Sequence, residues 1–299
     1  MKKRSTLSIA AIAMAATLGL AGCASDGNAG GDNAEGGEKM DITLAVFNGW
    51  DEGIATSWLW KAILEEKGYS VELEFADVAP VFEGLSSGDY DFTTDIWLPG
   101  THKEYLETYG DEIEELGAWN DESKLTIAVN EDAPIDSLEE LAANADLFNN
   151  RIVGIEPGAG LTGAVENAVI PDYGLEGMEF LTSSTAAMLT ELTAATDAGE
   201  NIVVTLWEPH WAYGAFPIKN LEDPEGALGG TETISSYGST QFVENSPQAA
   251  EWLSNFTMDL DTLYSLENAM FVEYEGSDYA PIVADWIADN QEWVDSLTS

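Results

Sequence analysis

The sequence predicts an α/β protein: two successive α/β units with a largely parallel sheet, a ligand cleft between them, and a helical tail. Three observations carry this. Short apolar strand-like runs alternate with helical segments from residue 41 onward. The same alternation begins again at residue 125 and runs to residue 207. After residue 245 the pattern is mostly helical. Clefts at the carboxyl ends of strands, between such units, are where α/β proteins hold small ligands.

The elements follow in order. Ile42 to Phe47 reads as a buried strand, Ile54 to Lys67 as a helix closed by Gly68, and Val71 to Phe75 as an alternating strand. Val81 to Ser87 is a short helix, and Tyr90 to Trp97 leads through a third strand. In the second unit Leu125 to Val129, Arg151 to Ile155, Met178 to Leu181 and Ile202 to Trp207 read as strands. The helices between them cover Ser137 to Ala145, capped by Asp136 or Ser137, then Leu161 to Ile170 and Ala186 to Ala198. The tail gives helices at 247–257, 259–269 and 279–297.

Composition excludes several functions. The 299 residues carry 10 Lys+Arg against 55 Asp+Glu, a formal net charge of -45. Nucleic acid is excluded as a partner, because binding to it begins with neutralising phosphates. A basic face for anionic lipid is disfavoured for the same reason. The acidity fits a protein kept soluble in a saline environment, where salt screens its self-repulsion. One Cys excludes an internal disulfide framework and a Cys-based zinc site, and two His leave little room for a His-rich metal centre.

The amino terminus reads as an address. Lys2, Lys3 and Arg4 precede an apolar run, Leu7 to Ala21, that ends in Leu20-Ala21-Gly22-Cys23. This resembles the bacterial lipobox, in which the cysteine is lipid-modified and becomes the first mature residue. Residues 1–22 are then a lipoprotein signal peptide, and the small, polar, Gly-rich residues 23–40 a flexible tether. The body is expected on the outer face of a cell membrane, held by lipid on Cys23.

Motifs for enzymes are mostly absent: no G-x-S-x-G, H-E-x-x-H or P-loop occurs. Pairs of carboxylates are everywhere in so acidic a chain, so none marks a hydrolase. Gly158-Ala159-Gly160-Leu161-Thr162-Gly163 fits G-x-G-x-x-G between a strand and a helix. An exported protein has no obvious nicotinamide supply, so no cofactor is expected. The glycines and the free N–H groups of the following helix suit a small anion such as a carboxylate, and equally a plain tight turn.

Tryptophan is the stronger signal. Of ten in the chain, Trp50, Trp97 and Trp207 follow or end strands, at the cleft edge of an α/β unit. Trp58, Trp60, Trp252, Trp286 and Trp293 fall on helices and read as core. A quaternary ammonium has no N–H to donate, and the faces of indole rings hold it at about 2 kcal/mol or more per desolvated contact. Aromatic rings beside a backbone anion site match a small zwitterion. Stacking on a sugar is the competing use of such rings.

With these residues in view, the chain resembles the glycine betaine-type substrate-binding proteins of bacterial ABC importers. The likeness spans about residues 41–295 and rests on GWDEGIATS (49–57), GDYDFTTDIWLPGTH (88–102), IVGIEPGAGL (152–161), TSSTAAM (182–188) and VVTLWEPHW (203–211). It implies a type II periplasmic-binding fold of two α/β lobes joined by two crossing segments, with no enzymatic activity and no metal. The lobes would be 41–125 with 232–299, and 126–231. By the same resemblance Trp50, Trp97 and Trp207 match the caging tryptophans. Gly160 and Leu161 match the backbone N–H pair that holds the ligand carboxylate, and His102 matches a histidine that assists there.

A charged His102 would bind a carboxylate more tightly, so binding is expected to weaken as pH rises through its pKa. His210 reads as a structural hydrogen-bonding group near the hinge, and Arg151 as a surface charge. Choline binders of the superfamily carry Asn where this chain has Ala159, which favours betaine over choline. Some relatives carry the two halves in permuted order. The implied function is capture of glycine betaine, or of choline, carnitine or proline betaine on the same scaffold, by a monomer that delivers it to a membrane ABC permease.

Overall fold

The computed structural model describes residues 38–299. The expected signal peptide, Cys23 and the expected tether up to residue 37 lie outside the described residues. Nine strands form one sheet: β1 (Asp41–Phe47), β2 (Ser70–Ala76), β3 (Phe92–Leu98), β4 (Ile113–Asn130), β5 (Arg151–Val153), β6 (Glu179–Leu181), β7 (Val203–Glu208), β8 (Ile218–Asn220) and β9 (Glu232–Ser239). Their order is β2-β1-β3-β9-β4-β7-β5-β6, with β8 also on β4. The 18-residue β4 joins two half-sheets. Its residues 113–123 pair with β9, and residues 124–129 pair with β7. Register shifts after Glu115, Ala118 and Asn120 bend it between the two.

The expected largely parallel sheet is corrected in its middle. β1 runs parallel to β2 and β3, and β5 parallel to β6 and β7. The central pairs β3–β9, β9–β4 and β4–β7 are antiparallel. The cause is connectivity: the chain leaves the first half-sheet along β4 and returns along β9. β9 (ETISSYGS) has no apolar alternation, yet Ser235, Ser236 and Ser239 are buried in it.

Local chemistry fixes the remaining elements. Asp51–Glu66 is a helix that buries Leu59, Trp60, Ile63 and Leu64 against the first half-sheet. Each fully buried side chain of this kind contributes about 1.5–3 kcal/mol. The helix ends at Lys67, and Gly68 follows at φ +97°, a conformation that a Cβ would strain. Ser137 closes a capping box with Glu140 at the start of the helix Leu138–Leu141. The long tail helix divides at Asn290 into Ala280–Asp289 and Gln291–Leu297. Among the described residues no helix is long and apolar enough to cross a membrane.

Candidate functional site

The carboxyl ends of β1, β3, β5 and β7 meet at the seam between the half-sheets. After β1 the chain turns through Gly49, at φ +79°, and Trp50 becomes the N-cap of the helix Asp51–Glu66. Trp97 is the penultimate residue of β3 and Trp207 of β7. Past β5, Ala159 holds an extended conformation and Gly160 opens the helix Gly160–Ala164, which no side chain caps. The first-turn N–H groups of Gly160 and Leu161 therefore have no capping acceptor and carry the positive end of the turn.

A small cavity lies where these ends converge. Trp50, Trp97, Trp207, Gly160 and Leu161 line it, with Glu52, Thr101, Leu125, Ile155 and Ala159. The three indoles are 3–5% exposed, so a cation among them would be desolvated on several sides. The walls come from both half-sheets.

Five of the six residues expected from sequence line this cavity. His102 stands one layer behind it, fully buried, stacked on Trp50 at 5.4 Å and on Phe47 at 5.5 Å. Its Nδ1 accepts the backbone N–H of Trp97 at 2.9 Å. In the neutral ring Nε2 then carries the proton, and Nε2 is buried without a partner. Burial lowers the His102 pKa to about 3. The expected loss of a charged His102 on approach to neutral pH is thus corrected, because no carboxylate faces the ring to offset its desolvation. His102 stays neutral.

The acids were not legible in the sequence. Each indole of the cavity donates its N–H to a carboxylate: Trp97 to Asp95 at 2.7 Å, Trp207 to Glu52 at 2.8 Å and Trp50 to Glu156 at 2.5 Å. Trp211 donates to Asp51 in the same way. A carboxylate on the N–H fixes the ring plane and adds electron density toward its face. The bonds of Trp50, Trp207 and Trp211 cross between the half-sheets, as does that of the Tyr105 hydroxyl to the Gly158 carbonyl at 3.1 Å.

Burial dominates the electrostatics of these acids. It raises Asp51 to about 6, against the lowering bond from Trp211, and Asp95 to about 7. Glu52 is raised well above the usual range by burial, then by the nearby Asp95 and Glu267. Glu267, buried with both carboxyl oxygens unpartnered, is raised by burial and by Asp51. The nearest basic group to Asp51 is His210, at 3.7 Å, which burial holds neutral with a pKa of about 3. His210 accepts the Ala212 N–H at Nδ1, and Arg151 pairs with Glu191 at the surface. Among the described residues no group of three or more His, Cys, Asp or Glu is arranged to hold a metal ion.

Known proteins share sequence and fold with this chain. The glycine betaine/carnitine transport binding protein of Listeria monocytogenes is 34% identical over 171 residues, 55% of each chain. The match thus spans about half the length of that relative. The structure of lactococcal OpuAC, closed on glycine betaine, superposes with a TM-score of 0.79 at 29% identity, covering 87% of this chain and 99% of that one. The glycine betaine/L-proline-binding protein ProX of Borrelia burgdorferi gives 0.81 at 27% identity, covering 87% and 97%. The fold is that of the type II periplasmic-binding proteins. Residues 40–289 match the model of one family, and the chain belongs to it: the substrate-binding domains of ABC-type glycine betaine transport systems.

Proposed function

We propose that this protein captures glycine betaine, or a closely related quaternary ammonium solute, outside the cytoplasm and hands it to the permease of an ABC importer. One observation carries the reading: three desolvated indoles and an uncapped pair of helix N–H groups face the same small cavity. The trimethylammonium group would sit among Trp50, Trp97 and Trp207, which hold it through the negative faces of their rings. The carboxylate would reach the N–H groups of Gly160 and Leu161. His102, behind the wall, supports the cage from outside: it stacks on Trp50 and accepts the backbone N–H of Trp97.

Capture follows by closure. The lobes are residues 41–125 with 232–299, and 126–231, a division supported by β4 and β9 as the passages between half-sheets. A solute that touches both walls favours the closed arrangement by its differential affinity for it. The protein is anchored through lipid on Cys23, a reading that rests on the sequence around that residue. Choline is the second reading, favoured by Glu52 on the cavity wall, where a carboxyl group can accept a hydroxyl hydrogen bond. Calorimetric titration with glycine betaine, choline, carnitine and a neutral sugar tests both. Betaine binding lost in W97A supports the cage, choline without betaine removes the carboxylate site, and a response to the sugar alone overturns the reading.

A further inference from the structure

We propose that Glu156 is a positioning residue that couples the orientation of Trp50 to closure of the cleft. The inference rests on the reading of the cavity given above and goes beyond it. Glu156 is not among the residues that line the cavity. It belongs to the second half-sheet, in the loop between β5 and the helix Gly160–Ala164, while Trp50 belongs to the first. Its two oxygens are divided between the halves. Oε1 accepts the Trp50 indole N–H across the seam. Oε2 accepts both the backbone N–H of Thr185, at 3.2 Å, and its hydroxyl, at 3.0 Å.

Thr185 opens the 14-residue helix Thr185–Ala198, so the carboxylate is anchored on its own half before it reaches across. The Trp50 side of the clasp also meets Thr185 directly. A Cβ at Gly49 would stand 3.1 Å from the Thr185 Cβ, so the Asn48–Gly49–Trp50 turn and this helix end abut. Trp50 itself is stacked between the cavity and His102, and its ring plane is the surface offered to the solute.

The physical consequence is a single acceptor that satisfies the indole only when two conditions hold together. The half-sheets must be closed, and the ring must lie in the plane that stacks on the solute. With the cleft open, the indole N–H bonds to water and its ring is free to turn. With it closed, a charge-assisted bond fixes the ring. Glu156 thereby tightens binding without touching the solute, through the stability of the closed state.

Calorimetry, stopped-flow fluorescence and small-angle scattering on the full-length protein test this, using glycine betaine as ligand and choline and carnitine beside it. E156A is expected to lose about tenfold to a hundredfold in affinity, the scale of a bond to a charged acceptor. The loss should appear in the dissociation rate, with association changed less than about threefold. E156Q keeps an acceptor for the indole and is expected to recover most of the affinity, whereas a merely structural role would not be rescued in the dissociation rate. W50F keeps an aromatic face but has no N–H, and in that background E156A should add less than half of its effect on the logarithm of affinity.

Wild-type affinity in E156A, or losses that simply add with W50F, would overturn the clasp while leaving the cavity reading intact. A wild-type protein that binds none of the three solutes would overturn the cavity reading. The clasp is then judged on ligand-free scattering, where E156A should be more expanded than wild type and an unchanged profile counts against it. If E156A does not fold, the E156Q and W50F pair carries the same test through its dissociation rates.

Discussion

Adding one methyl group at Gly160 should separate closure from folding. A Cβ there would lie 2.3 Å from the carbonyl oxygen of Thr101 and 2.7 Å from its Cγ2. That is about 1 Å short of ordinary contact. Thr101 has little freedom to retreat. Its N–H and hydroxyl are both held by the buried carboxylate of Glu232 at the start of β9, at 3.0 and 2.7 Å, and the same carboxylate holds the N–H of Gly100 at 3.1 Å. Gly160 and Thr101 stand on opposite half-sheets, so the strain is relieved most simply by opening the seam.

Forced overpacking of this sort costs about 1–3 kcal/mol, which corresponds to a loss of about fivefold to a hundredfold in affinity. The open state escapes the clash, and Ala is the better helix former by about 1 kcal/mol. The ligand-free melting temperature of G160A should therefore equal or exceed that of wild type. Calorimetric titration with glycine betaine, paired with thermal unfolding of the free protein, reads both quantities. G160A binding with wild-type affinity would refute the close approach of the two walls, and a large drop in ligand-free stability would refute its relief by opening.

Three further predictions follow from the same site. W97A removes one desolvated cation–π contact of about 2 kcal/mol and should weaken glycine betaine binding by about 30-fold or more, measured by calorimetry. Asp51 has a folded pKa of about 6, raised above its ordinary 3.8, so its ionisation destabilises the fold as pH rises through that window. D51N removes this, and its stability relative to wild type should grow by about 2 kcal/mol between pH 4 and pH 7 in denaturant titrations. Asp95, raised to about 7 beneath Trp97, ionises more readily beside a bound cation. Affinity should therefore rise from pH 6 to pH 8, by at most about tenfold per pH unit, and D95N should flatten the profile.

That last sign is opposite to the one drawn from the sequence, and the reason shows what a sequence can convey. The strands β1, β3 and β7 were legible because each is an apolar run with an indole just after it or at its end, Trp50, Trp97 and Trp207, followed by turn residues. The Gly-rich entry to the helix at Gly160 was legible from its spacing. The charge state of His102 was not, because it depends on burial against Phe47 and Trp50, which lie 55 and 52 positions away in the chain. The first half of β4, IEELGAWNDES, reads as polar because only Ile113, Trp119, Asn120 and Ser123 are buried in it, two of them polar. β9 was hidden because serines fill its buried positions, Ser235 among them bonded to Glu115. Glu52, Asp95 and Glu156 were lost among 55 acids, and only the fold brings each one to an indole N–H.

The most direct test of the account is calorimetric titration of the purified body with glycine betaine and, separately, with a neutral sugar of similar size. The account predicts one-to-one saturable binding of glycine betaine, no heat from the sugar, and a marked loss of affinity in W97A. Binding of the sugar with no response to any quaternary ammonium would contradict it, and the three indoles would then have to be understood as a stacking surface for a neutral ligand.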